Sequence, residues 1–527
     1  MRKTMTGLIG GASVMVLTIA GTSQAGTPSE QAPISTAAKG YPVVRTIDER
    51  FQSYQIGFSH LTGGETWKSY DQLEKGKAAQ NNGAARDFGA VREARAPTDL
   101  TSAKLRTLTA ALAPLYIRYS GTTANSVYFH DSDTSAPGQA PDGFTVVLSR
   151  PAWKGAVDFA RAVDAKIVTS FANSPGVRDG AQAWTPLMAK PWLDYTRSIG
   201  GHIYAVELFN EPNAPEPPRI LKGHPPEEFA RDYAVFRKFM KQAAPSVRLA
   251  GPGTATLGIP GVGSIGTTSA QYFAAKPRPE VDIVSYHFYP ALAQRCAPPT
   301  SPQGASADQA LSEGWLARPD AELQRQKALR DQYAPGAPIW LTETGGAACG
   351  GLTWQPTFLD VFRYVDMHAR TAKQGLDAIF THALISGSNG IIDEKTLDPN
   401  ASYWAALLWR KLMGARVLDA GAFQEGLHLY AHCMRGVDGG VSLIALNLKE
   451  QIRTLRTPAD AEMYALTSPA LQSRTVLLNG KPLALTADDQ LPALRPMLSS
   501  ARSVALAPLS VNFVAFPKAA NPLCTVD

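Results

Sequence analysis

Eight short apolar runs, each followed by a stretch of helical periodicity, limit what this chain can fold into more than any other feature. The runs occupy 54–58, 115–119, 166–171, 205–209, 247–251, 281–286, 338–341 and 376–381. Each has strand length, and the stretches between them carry apolar residues at three and four spacing. The clearest is 227–243, where Phe229, Tyr233, Phe236, Phe239, Met240 and Ala243 share one face while Arg231, Lys238 and Lys241 lie elsewhere. Pro225 and Pro226 open that helix and Pro245 closes it. Strands that alternate with helices pair in parallel, because a parallel neighbour needs a crossover connection. Eight such units predict an α/β fold, a (β/α)8 TIM barrel over 51–414.

Beyond 415 the alternation stops. Runs at 427–431, 441–446, 475–478, 504–507 and 510–515 are short, with turn signals at Asp438-Gly439-Gly440 and Asn479-Gly480-Lys481-Pro482. This predicts a C-terminal antiparallel β-sandwich domain over 415–527, to which 43–50 adds a strand. At the other end, Arg2 and Lys3 precede an apolar stretch at 8–21, and Ser23-Gln24-Ala25 is a small-x-Ala cleavage signal. Residues 1–25 therefore read as a signal peptide cut near Ala25, and 26–42 as a flexible linker. The mature protein is expected to be secreted or periplasmic. No other window holds the ~18–20 apolar residues of a membrane span, so no membrane insertion is expected. The net charge of +6 is dispersed, which leaves no footprint for nucleic acid. Export permits disulfides among Cys296, Cys349, Cys433 and Cys524; none has the C-x-x-C spacing of a zinc or redox site. A monomer with no metal and no cofactor is expected.

In a parallel barrel the chemistry sits beyond the carboxyl ends of the strands, so acids there are the first candidates. Glu211 follows the fourth run in AVELFNEPNA, where Asn210 and Pro212 end the strand and keep the carboxylate at the mouth. Glu343 follows the seventh run in IWLTETGGAACGG. Strands four and seven face each other across an eight-stranded mouth. A lone strand-end glutamate usually caps a helix or pairs with a base. Two that face each other meet the needs of glycosidic cleavage: one protonated to donate to the leaving oxygen, the other ionised to attack the anomeric carbon.

These motifs and several longer stretches resemble the heparanase family of retaining glycoside hydrolases, which includes β-glucuronidases and heparanases. The stretches are LRTLTAALAPLYIRYSGTTAN (105–125), VELFNEPN (206–213), IWLTETGGAACGG (339–351), YWAALLWRKLMGARVL (403–418), YAHC (430–433) and LPALRPMLSSARSVALAPLSVNFVAF (491–516). The resemblance implies Glu211 as general acid/base and Glu343 as nucleophile, in a double displacement through a glycosyl-enzyme. Beside them, Arg118 is the candidate cation that keeps Glu343 ionised. Tyr289 is placed to donate its hydroxyl to Glu343, with His287 in support, and Asn210 to meet the sugar 2-hydroxyl.

The implied substrate is an oligosaccharide or polysaccharide containing glucuronic acid, such as heparan sulfate, cleaved in exo or endo fashion. By the same resemblance the backbone of Cys349, Gly350 and Gly351 would hold the glucuronate carboxylate. Ala347-Ala348 stands where vertebrate relatives carry a Tyr. Ser59, His60 and Trp67, in GFSHLTGGETWKSY (57–70), are candidates for sugar contacts. The resemblance also pairs Cys433 with Cys524; Cys296 and Cys349 form either a second bridge or two free thiols. The basic clusters with which vertebrate members grip sulfate are missing from GPGTATLGIPGVGSIGTTSAQY (251–272), leaving Arg178, Arg219 and Lys222 as scattered alternatives. Two other readings stand beside this one: a clan relative acting on neutral β-xylosides or β-glucosides, and a catalytically silent glycan-binding homologue.

Overall fold

Each of the eight apolar runs overlaps one strand of a single closed barrel. In a computed structural model, residues 34–35, 38–75, 89–214, 224–257, 266–297, 299–421, 424–457, 460–500 and 502–525 are described. The expected leader at 1–25, with its cleavage site, lies outside them, as do Arg219 and Lys222. The barrel strands are β1 (Gln52–Gly57), β2 (Leu115–Ser120), β3 (Ala165–Ser170), β4 (Ile203–Glu207), β5 (Arg248–Leu257), β6 (Ile283–Tyr289), β7 (Ile339–Thr344) and β8 (Ala378–His382). All pair in parallel, and β8 closes onto β1 with Ile379 opposite Gln52.

A helix covers the outside after each strand: α1 (Ala103–Ala110), α2 (Arg150–Ala162), α3 (Ala189–Ser198), α4 (Pro226–Ala243), α5 (Ser269–Ala274), α6 (Arg318–Tyr333), α7 (Phe358–Gln374) and α8 (Ala401–Leu412). In α4, Pro226 occupies the first turn, where its missing N–H costs nothing, and Glu227 and Glu228 complement the helix dipole. Its Phe229, Tyr233, Phe236 and Met240 are buried against the barrel wall.

Inside the barrel, alternate residues of neighbouring strands form a floor. Tyr116, Val168, Ala205, Ala250, Ile283, Trp340, Ala378 and Phe380 pack as one apolar cluster, with the rings of Tyr116 and Trp340 4.8 Å apart. The floor seals one end, so the polar residues one step further along the strands gather at the other.

After α8 the chain enters an antiparallel sheet: β9 (Met413–Leu418), β10 (Leu427–Met434), β11 (Val441–Asn447), β12 (Ala461–Thr467) and β13 (Ser510–Phe516). Its order runs Val43–Thr46, β9, β10, β11, β13, β12, and a smaller sheet sets Arg453–Arg456 beside Ser503–Leu506. The segment AEMYALT of β12 is rich in residues that favour helix over strand. Pairing with β13 on one side and Met497–Ser499 on the other overrides that preference. Cys433 of β10 is bridged to Cys524, which ties down the C-terminal tail.

Barrel and sandwich meet along α7, which is buried over nearly its whole length. His428 of β10, itself fully buried, lies with Nδ1 2.6 Å from Asp366 of α7 and Nε2 2.8 Å from Glu313. Asp366 also accepts from the Tyr430 hydroxyl at 2.5 Å and Arg370 Nε at 2.8 Å.

Candidate functional site

β6 builds one wall of the site by simple alternation. Ile283 belongs to the floor; Ser285, His287 and Tyr289 follow on the same face, and each meets a different carboxylate. Ser285 Oγ donates to Glu207 Oε1 at 2.7 Å, His287 Nδ1 lies 2.8 Å from Glu211 Oε1, and Tyr289 Oη donates to Glu343 Oε1 at 2.7 Å.

β7 breaks the alternation. Its pairing with both neighbours shifts after Leu341, the mark of a β-bulge. Thr342 and Glu343, consecutive in sequence, therefore both reach the interior: Thr342 Oγ1 donates to Glu207 Oε1 at 2.9 Å, and Glu343 Oε2 accepts from Arg118.

Arg118 of β2 is the hub and is fully buried. Its Nη1 donates to Glu343 Oε2 at 3.0 Å and to Gln55 Oε1 at 2.6 Å. Its Nη2 donates to Asn210 Oδ1 at 2.9 Å and to Glu207 Oε2 at 2.7 Å, while Nε reaches the same Glu207 oxygen at 3.0 Å. Burial works to raise the pKa of Glu343; His287, His382, Arg118 and Tyr289 outweigh it and hold the carboxyl well below its usual range. Burial also drives His382 towards its neutral form, whereas Arg118 is a permanent cation in direct contact with Glu343. Tyr289 is pushed well up by burial and by Glu343, which keeps its phenol protonated and donating.

Glu211 sits differently. Its φ of +46° lies in the left-handed region that favours glycine, and two asparagines hold the chain on either side. Asn125 exchanges paired hydrogen bonds with the backbone of Asn210, at 2.8 and 2.9 Å. Asn213 does the same with the backbone of Ala255 on β5, again at 2.8 and 2.9 Å. The glutamate side chain is thereby aimed across the mouth. Carboxylate oxygens of Glu211 and Glu343 and a ring nitrogen of His287 lie within 4.8 Å of one another. These are metal-ligand atom types, but the residues fit a metal poorly. Both oxygens of Glu343 already accept hydrogen bonds, and the guanidinium of Arg118 stands where a cation would be neutralised.

The glycine-rich turn after β7 adopts three successive left-handed conformations, with φ of +66° at Cys349, +80° at Gly350 and +85° at Gly351. A Cβ on Gly350 would come 2.6 Å from Cγ of Trp67, and one on Gly351 2.7 Å from Asn389 Cβ. Cys349 is bridged to Cys296 in the loop after β6, so the turn is stapled to the β6 side of the mouth. Trp67 packs against this turn with the guanidinium groups of Arg92 and Arg295 at 4.6 and 5.6 Å from its ring centre.

Some expected residues stand apart from the carboxylates. His60 is occupied on both ring nitrogens, by Thr98 at 2.9 Å and Arg95 at 3.2 Å. Ser59 begins a one-turn helix, Ser59–Thr62, and is half-buried. Arg178 is committed to Asp232 of α4 at 2.8 Å. His287, expected beside Tyr289 and Glu343, bonds Glu211 instead and stays 3.9 Å from Glu343.

Sequence reading passed over Glu207, Gln55, Asn125, Asn213 and His382. Only Glu207 left a signal: an acid inside the run 205–209, in step with Ala205 and so facing inward.

A closed parallel barrel with acids at the carboxyl ends of β4 and β7, followed by a β-sheet domain, is the frame of a glycoside hydrolase. The chain is similar to heparanase-like protein 1 of Arabidopsis thaliana, 26% identical over 81% of this chain and 86% of the relative. It is 29% identical to baicalin-beta-D-glucuronidase of Scutellaria baicalensis, over 45% of this chain and 46% of that one. In fold it matches the 4-O-alpha-L-rhamnosyl-beta-D-glucuronidase of Fusarium oxysporum 12S, with a TM-score of 0.59 and 14% identity over 92% of this chain and all of that one. No protein-family model matches. The resemblance to the heparanase family thus holds over most of the chain.

Proposed function

We propose that the chain is a retaining β-glucuronidase that releases or cleaves at β-linked glucuronic acid through a glycosyl-enzyme intermediate. The observation that carries this reading is the approach of Glu211 and Glu343, with oxygens within 4.8 Å, in unlike surroundings. Retaining enzymes set their carboxyl groups about 5–5.5 Å apart for direct attack; inverting ones leave roughly 6.5–9.5 Å for a water. Glu343, buried and paired with Arg118, suits the nucleophile. Glu211, at the mouth with its side chain 17% exposed, suits the group that must exchange protons with leaving group and water. Glu211 gives its proton to the leaving oxygen as Glu343 attacks and, once Glu343 is esterified, takes one from the incoming water. Asn210, held by Arg118 and Asn125, is positioned for the sugar 2-hydroxyl.

For glucuronate in particular, the support is the turn at 349–351. Among the described residues the N–H groups of Gly350 and Gly351 have no acceptor, and glycine lets the backbone approach an anion closely. The name of the glucuronidase relative points the same way. Export is supported by the two disulfides.

The test is a panel of aryl β-glucuronide, β-xyloside and β-glucoside, with heparan sulfate and chondroitin products sized. The glucuronide is expected to lead by about 10²-fold or more in kcat/KM, with the β-anomer released first. Equal rates on the xyloside would favour the neutral-sugar reading. Hydrolysis no faster in wild type than in Glu343→Ala, with oligosaccharide still bound, would favour a silent binding protein. Gly350→Ala forces a side chain into Trp67 at a positive φ. It is expected to raise KM for the glucuronide about tenfold or more while moving that for a neutral glycoside far less.

A further inference from the structure

Glu207 sits beneath the two paired glutamates and is 1% exposed. A buried carboxylate needs a compelling partner, and this one has three. Arg118 gives two donors to Oε2, and Ser285 and Thr342 give one each to Oε1. The backbone makes room for it: Gly253, at φ +68°, has no Cβ to come within 3.1 Å of Oε1. Glu207 is therefore ionised, and its charge stands on the same guanidinium that holds Glu343.

We infer that Glu207 is a positioning residue that fixes Arg118 and, by its charge, sets the pH window in which the Glu211–Glu343 pair works. The inference rests on the proposed retaining mechanism. The ionisable groups facing Glu207 and Arg118 are Glu343 from β7, Glu211 beyond β4, His287 and Tyr289 from β6, and His382 from β8; Gln55, Asn210, Ser285 and Thr342 are the uncharged polar neighbours. Arg118 carries one positive charge between two carboxylates. With Glu207 present it is half spent on a group that never reacts, so the field it exerts on Glu343 and Glu211 is moderated. Without that carboxylate Glu343 would hold its proton less tightly. Burial works to raise Glu207 itself, but Arg118, His287 and Ser285 hold it below the usual carboxylate range, so it is charged at neutral pH.

The test is the pH dependence of kcat/KM for an aryl β-glucuronide. In Glu207→Gln, which keeps the shape and removes the charge, the acidic limb is expected to move to lower pH, on the order of one unit. Thr342→Val keeps the charge of Glu207 but deletes the hydroxyl whose positive end faces it. The acidic limb is then expected to move the other way, by a smaller amount. A folded Glu207→Gln with the acidic limb at its wild-type position and only a lower melting temperature would make Glu207 structural and overturn the inference. Should Glu207→Gln not fold, an unmoved acidic limb in Thr342→Val overturns it alone. Wild-type protein with no glycosidase activity would instead refute the function on which it rests.

Discussion

Glu343→Ala is expected to lower kcat for an aryl β-glucuronide by about 10⁵-fold or more, and azide is expected to restore turnover with an α-glycosyl azide as product. On the proposed reading Glu343 attacks the anomeric carbon from the face opposite the leaving oxygen. Alanine leaves a hole on that face, next to Arg118, which still offers its Nη1 to an anion. Azide entering there displaces the aryl group once, so configuration inverts. Glu211→Ala fails differently. With a good leaving group the glycosyl-enzyme still forms, but water lacks a base, and turnover falls by roughly 10²–10⁴-fold. Azide needs no base; it attacks the enzyme-bound sugar from the Glu211 side and yields the β-azide. The two product configurations assign the two roles independently of rate. Equal residual activity in both variants, or the same anomer from both, would refute the assignment.

Much of the barrel is legible in the sequence because the floor and the helices obey strict periods. Ile283, Ser285, His287 and Tyr289 share a face for no reason beyond a period of two. What escapes the sequence is where the period breaks. The bulge in β7 turns Thr342 and Glu343 to the same interior, and nothing in IWLTET marks it. The left-handed backbone at Glu211 decides that His287 reaches Glu211 and leaves Glu343 to Tyr289; the asparagines responsible come from the loop after β2 and from the turn itself. His60 looks like a mouth residue in GFSHLTGG. It is claimed by Arg95 and Thr98, which reach it because the hairpin of Gly64–Trp67 with Arg92–Arg95 folds back over the short helix. Glu207 shows in the sequence as one acid in a run otherwise suited to a buried strand, but its partners, Arg118 from two strands away with Ser285 and Thr342, appear only in the fold.

His428→Gln is expected to destabilise the protein by about 3–5 kcal/mol near pH 6, through the contact between barrel and sandwich and with no part of the active mouth involved. Both ring nitrogens of His428 face carboxylates, Asp366 at 2.6 Å and Glu313 at 2.8 Å, so the imidazolium is the form that satisfies the cluster. Burial opposes that charge; Asp366 and Glu313 outweigh it and raise the pKa of His428. For Asp366 and Glu313, burial acts to raise the pKa and the cationic and donor neighbours prevail, so both are lowered. The signs fix the window. A histidine raised in the folded state contributes its stability in full below about pH 6.5, its unfolded value, and loses it as pH climbs through the raised one. The lowered carboxylates contribute above about pH 4 and lose it as pH falls through their folded values. Thermal stability is therefore expected to hold from mildly acid pH to about 6.5 and to decline above neutrality in the wild type. In His428→Gln the amide still donates to one carboxylate but leaves buried Asp366 short of a counter-charge, with Arg370 as its remaining cation. The decline above neutrality should then flatten, because the group that titrates is gone. Melting temperatures from pH 5 to 9 decide the matter: parallel curves for wild type and variant would show that His428 is neutral in the fold and that the charged hinge between α7 and β10 does not exist.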